Sequence, residues 1–140
     1  MKTIVLPLVM LMGSSTMAFA APQCPQEIKV SQSLAAPVAE WTGFQTTSPT
    51  RLSGIAFYDG PPAEDASLAP DSFKKQKSLE TAIWTFDPQS SRSIWMMCLY
   101  AGTTQALTRE LPKGTRGCTI SYDGTQKIAG QSIITNVACK

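Results

Sequence analysis

The sequence predicts an all-β, mainly antiparallel domain, a sandwich or partly closed barrel stapled by two disulfides. Three observations point there. Short runs rich in Ile, Val, Thr, Trp and Phe recur at regular spacing from residue 50 onward. Glycine and proline turns separate them, as in sandwiches and barrels. Four cysteines, Cys24, Cys98, Cys118 and Cys139, fall in a chain that begins like an exported protein, where an even count reads as disulfides.

Lys2, the apolar run 4–12 and Ala18-Phe19-Ala20 have the form of a cleavable secretory signal, with the cut expected after Ala20. The apolar run is well short of the ~20 residues that span a bilayer, so no membrane anchor is expected after cleavage. Residues 21–140 then form one domain, and the expected compartment is the periplasm. Removing Lys2 leaves eleven Lys and Arg against ten Asp and Glu, a balance that gives no support for a nucleic-acid partner.

In chain order, residues 27–33 alternate with Ile28 and Val30 on one face and predict a short strand. Residues 41–44 suggest a second strand and 51–58 a third. Residues 59–71 hold three prolines and a glycine and predict a long acidic loop, in which 62–68 is compatible with one or two helical turns. Lys74-Lys-Gln-Lys77 reads as a solvated loop face. A meander is expected from residue 79: strands at 79–86, 93–100 and 105–110, then a hairpin of 118–124 with 133–139 about a loop near 126–130. The 93–100 strand, Ser-Ile-Trp-Met-Met-Cys-Leu-Tyr, is continuously apolar, which predicts a central position buried on both faces.

The four cysteines admit three connectivities. Folding the last two strands as a hairpin sets Ile120 opposite Val137 and Cys118 opposite Cys139. A non-hydrogen-bonded antiparallel pair lies about 4.5 Å apart at Cα, within reach of a disulfide. That favours Cys118 with Cys139 and Cys24 with Cys98.

Chemistry is sparse. The chain has no histidine, hence no Ser-His-Asp or Cys-His pair and no ordinary base near neutral pH. Oxidised cysteines supply neither a thiolate nucleophile nor a zinc site. No cofactor or metal is expected. Paired carboxylates among Asp59, Glu64, Asp65 and Asp123 would be the remaining catalytic device. The balance favours a protein that binds over one that turns over substrate.

Several segments, taken together and in order, carry a family resemblance: Cys24-Pro25; Gly54-Ile-Ala-Phe-Tyr-Asp-Gly-Pro-Pro-Ala-Glu64 running to Ser67-Leu-Ala-Pro70; Trp84; Trp95-Met-Met-Cys-Leu-Tyr-Ala-Gly-Thr103; Leu111-Pro112; Cys118 ahead of Tyr122; and Cys139. The chain resembles small proteobacterial periplasmic proteins encoded in type VI secretion clusters. The resemblance implies an immunity protein whose partner is a peptidoglycan-attacking effector with an L,D-transpeptidase-like fold, and it implies no catalytic residue. An inhibitor of this kind needs a rigid scaffold and a protruding segment. The acidic loop suits the second role, with Tyr58 as an aromatic anchor and Asp59, Glu64, Asp65 and Asp71 facing basic groups. A lysozyme inhibitor and a carboxylate-dependent cell-wall hydrolase are the competing readings.

Overall fold

The computed structural model describes residues 21–140; the expected signal segment lies outside them. Nine strands form: β1 (Glu27–Ile28), β2 (Thr50–Asp59), β3 (Ser67–Leu68), β4 (Ser72–Gln76), β5 (Leu79–Thr85), β6 (Ile94–Tyr100), β7 (Ala106–Glu110), β8 (Gly117–Ile128) and β9 (Gln131–Cys139). A single 3₁₀ turn, Pro62–Glu64, is the helical content of the described residues. One antiparallel sheet runs β1-β2-β6-β7, with β3 also on β2. The other runs β4-β5-β8-β9. Of the two forms expected, the sandwich is the one observed.

The core lies between the sheets. Phe57 of β2, fully buried, meets Trp84 of β5 edge-on at 5.0 Å and Phe86 at 5.5 Å. Such aromatic pairs contribute about 0.5–1.5 kcal/mol beyond their area. Leu52 and Ile55 both face this core although, three positions apart, strict alternation would put them on opposite faces. A register shift between Leu52 and Gly54 restores the phase, as a bulge does.

The order of strands corrects the expected meander. Hairpins join β4 to β5, β6 to β7 and β8 to β9, but β5 and β6 belong to opposite sheets. Phe86 and Leu111 sit buried where the chain crosses between sheets. Burying them draws the chain across the sandwich instead of along one sheet.

The 93–100 strand is central within its sheet, with β2 on one side and β7 on the other. Its two-sided burial is corrected, however. Met96, Cys98 and Tyr100 point into the core, while Trp95 and Met97 are half-buried and Leu99 is exposed on the outer face. Continuous apolarity therefore marks one covered face and one without a second layer.

Three further expectations change. The 27–33 strand shortens to β1, and 41–44 forms no strand, because the chain leaves β1 for a 21-residue excursion with no neighbouring strand to pair with. Lys74 and Lys75 lie on edge strand β4, not in a loop. Edge strands tolerate lysine because its charge faces water while the backbone pairs on one side.

The terminal hairpin has the expected register, Ile120 opposite Val137 and Cys118 opposite Cys139. Its strands run further than expected and turn at Ala129-Gly130, both with positive φ (49° and 82°), the geometry of a primed two-residue turn. The extra residues are absorbed by an irregularity between Asp123 and Lys127, where the Asp123 carboxylate accepts bonds from Thr125 and Gln126. Both expected disulfides form. Cys24–Cys98 spans 74 residues and Cys118–Cys139 spans 21, with Cα separations of 5.8 and 4.1 Å.

A buried polar cluster closes the second sheet. Glu80, 8% exposed, accepts from Lys75 Nζ at 2.8 Å and Ser132 Oγ at 2.8 Å. These bonds, that from Lys75 foremost, hold its carboxyl below the usual range against the opposing effect of burial.

Candidate functional site

The site begins where β2 ends. Gly60 turns the chain at φ 98°, and a side chain there would collide with the Arg92 guanidinium, so the turn needs glycine twice over. Pro61 and Pro62 then set up the 3₁₀ turn, with Glu64 N–H donating to Pro61 O and Asp65 N–H to Pro62 O. Asp65 closes it in the left-handed region at φ 56°. The chain returns through an Asp59 N–H bond to Ala66 O at 2.9 Å and the pairing of β3 with Phe57 and Tyr58. Residues 59–68 thus form a closed, hydrogen-bonded loop on the end of the sheet.

Arg92 locks that loop. Its guanidinium lies 3.2 Å from the Asp59 carboxylate, donates to the Asp59 carbonyl, and binds the Glu64 carboxylate. The Glu64 bond is the main reason Arg92 is held even more firmly protonated than usual. Both acids are therefore engaged within the chain, although they remain solvent-accessible. Sequence reasoning missed Arg92. Nothing in its neighbourhood marks it, since only the β2–β6 register, with Asp59 opposite Ile94, carries it to the loop.

The other expected residues divide. Tyr58 lies between Trp95 of β6 and Ser67 of β3, half-buried, its hydroxyl 3.8 Å from Met97 Sδ. Asp65 is exposed at the closing position of the turn. Asp71 belongs elsewhere: its carboxylate accepts from Thr85 N–H at 2.5 Å and its own N–H donates to Ile83 O, pinning the chain where it enters the second sheet. The structure thus brings Tyr58, Asp59, Glu64 and Asp65 together and leaves Asp71 outside the group. Asp123 also stands apart, in β8 of the second sheet.

The geometry suits recognition. Asp59 and Glu64 share a cation between them, where glycoside hydrolysis would place the scissile bond. Among the described residues no group of three or more His, Cys, Asp or Glu side chains is arranged to hold a metal ion. Nor is any described helix long and apolar enough to cross a membrane. The class these features define is a small disulfide-stapled β-sandwich with a hydrogen-bonded, net-acidic turn at one end.

Residues 46–140 match the type VI secretion system Tli immunity protein family, so the chain is a member of that family. Membership implies a cognate effector protein as its partner. A protein of Azospirillum brasilense, described as an uncharacterized 16.3 kDa protein in the trpG 5′ region, is 25% identical over 107 residues, covering 72% of this chain and 71% of that one. No solved structure matches.

Proposed function

We propose that this chain acts in the periplasm as the immunity partner of a type VI effector that attacks peptidoglycan, an effector with an L,D-transpeptidase-like fold. It acts by binding the effector and catalyses no reaction itself. Family membership supports the immunity role, and two disulfides fit an oxidising compartment in which the cell wall is an exposed target.

The observation that carries the contact surface is the Arg92-locked turn. Tyr58 and Asp65 meet the effector, and Asp59 and Glu64 contribute their outward oxygens while holding the turn's shape. Three acids against one arginine leave the surface negative, which suits a basic rim on the partner's cleft and speeds encounter. A turn fixed before docking loses little further entropy on binding.

The test is a calorimetric titration of the oxidised protein into the purified toxin domain of the effector encoded beside it, with peptidoglycan and phospholipid turnover followed in parallel. Stoichiometric binding with loss of peptidoglycan cleavage is expected. Loss of phospholipid cleavage instead would keep the immunity role and move the target from wall to membrane. No binding, with inhibition of lysozyme or with peptidoglycan turnover by this chain alone, would replace the reading.

A further inference from the structure

Between β1 and β2 the chain makes an excursion, residues 29–49, with no regular secondary structure. It carries four large apolar side chains out of the core: Leu34, Val38, Trp41 and Phe44 are 58, 52, 78 and 90% exposed. Four such residues within eleven positions exceed the scattered single exposures that any soluble surface has. They are also held in place. The excursion is anchored on one side by β1 and the Cys24–Cys98 disulfide and on the other by β2. Across its base Gln45 Nε2 donates to Val30 O at 2.9 Å and Gln32 Nε2 to Gly102 O at 3.4 Å. Trp41 N–H donates to Val38 O, forming a turn at the aromatic end. The arm and the body enclose a recess of about 780 Å³, lined among others by Leu34, Phe44, Pro49 and Ile128.

We propose that this arm is a second contact surface for the cognate effector, inserting Trp41 and Phe44 into an apolar, uncharged depression of that protein. The inference rests on the immunity reading above. Three features select this occupant. The arm holds only one basic and one acidic residue, Lys29 and Glu40, so it lacks the cationic face with which surface-bound segments grip anionic lipid or nucleic acid. Two aromatic side chains offer roughly 300–500 Å². That is less than the ~800 Å² per partner that a stable interface buries, so the arm is too small for a dimer by itself and suited to adding to a larger interface. Tryptophan is also a side chain in which binding energy concentrates.

The placement gives the arm a distinct task. Its four apolar residues, Leu34 to Phe44, lie outside the 46–140 stretch that matches the family, while the Arg92-locked turn lies within it. The two surfaces sit at opposite ends of β2, about 30 Å apart for ten strand residues. The turn provides the first contact with the effector. The arm provides discrimination between this chain's own effector and others.

The experiment compares the oxidised native protein with Trp41→Ala/Phe44→Ala by calorimetry against the purified effector toxin domain. Thermal midpoints and gel-filtration masses are recorded for both. The expected result is an affinity at least about 30-fold weaker in the variant, with midpoint and mass unchanged, as for loss of a hot spot. Equal affinity would overturn the arm while leaving the immunity role intact. Failure of the native protein itself to bind would overturn both. A native dimer that the variant dissociates, or vesicle binding that it loses, would assign the arm to self-association or to lipid and so overturn the proposal.

Discussion

Removing each disulfide separately should cost different amounts, and the order of the two costs follows from the chain they close. With both members of a pair replaced by alanine, a chain-entropy treatment assigns about 4.4 kcal/mol to the 74-residue closure of Cys24–Cys98. It assigns about 3.3 kcal/mol to the 21-residue closure of Cys118–Cys139. The register of β8 with β9 already holds Cys118 against Cys139, so the shorter bridge reinforces contacts that exist without it. Cys24 is different. Apart from the bridge, its segment is joined to the sandwich by a two-residue strand and by bonds from Tyr100 Oη to Pro25 O, Gln23 Nε2 to Val137 O and Leu52 N–H to Gln26 O. The assay is urea unfolding followed by tryptophan fluorescence. With a slope of about 1–3 kcal/mol per molar urea, the Cys24/Cys98 variant should unfold at least ~1.5 M earlier than the native protein. The Cys118/Cys139 variant should fall between them. Limited proteolysis should also cut within 29–49 sooner in the first variant alone. If the Cys118/Cys139 variant were the less stable by about 1 kcal/mol or more, loop closure would not be the source of the stabilisation.

Other substitutions probe the core, the polar cluster and the hairpin. Phe57→Ala removes the ring that joins Trp84 and Phe86 and should cost about 3–5 kcal/mol, read by the same unfolding assay. Because the folded-state pKa of Glu80 is depressed, its contribution is present above the ordinary carboxylate value of 4.5 and is lost as pH falls through the lower folded value. Thermal midpoints measured from pH 6 to pH 3 should therefore drop below about pH 4.5, and Glu80→Gln should flatten that drop. Ala129 occupies a left-handed position that asparagine adopts more readily, so Ala129→Asn should stabilise the hairpin by about 1 kcal/mol in urea unfolding.

What the sequence made legible was local pattern. The cysteine pairing followed from one alternating hairpin, because Cys118 and Cys139 each lie two residues along their own strand from a member of the facing pair Ile120 and Val137. Strand β5 was readable from its β-branched and aromatic residues. The crossing from β5 to β6 was not, since a buried Phe86 leads the chain between sheets and nothing local says which neighbour a strand will choose. Charge misled at β4, where lysines sit on a strand that composition describes as loop. At the candidate site, Tyr58, Asp59, Glu64 and Asp65 could be grouped because they adjoin in sequence, and the fold keeps them together. Arg92 was missed because it arrives through tertiary pairing, and Asp71 was included only because it follows the same loop. Trp41 was seen as part of a strand, since alternation cannot tell a side chain buried under a sheet from one left exposed on an irregular excursion.

The lysines of β4 have a consequence for the protein's behaviour when it is made in quantity. This strand is an open edge, with the exposed Phe73 beside Lys74, so by backbone geometry alone it could template another chain. Like charges on the approaching edge of a second copy repel, most strongly at low ionic strength. The β4 edge is thereby discouraged from pairing with the same edge of a second copy.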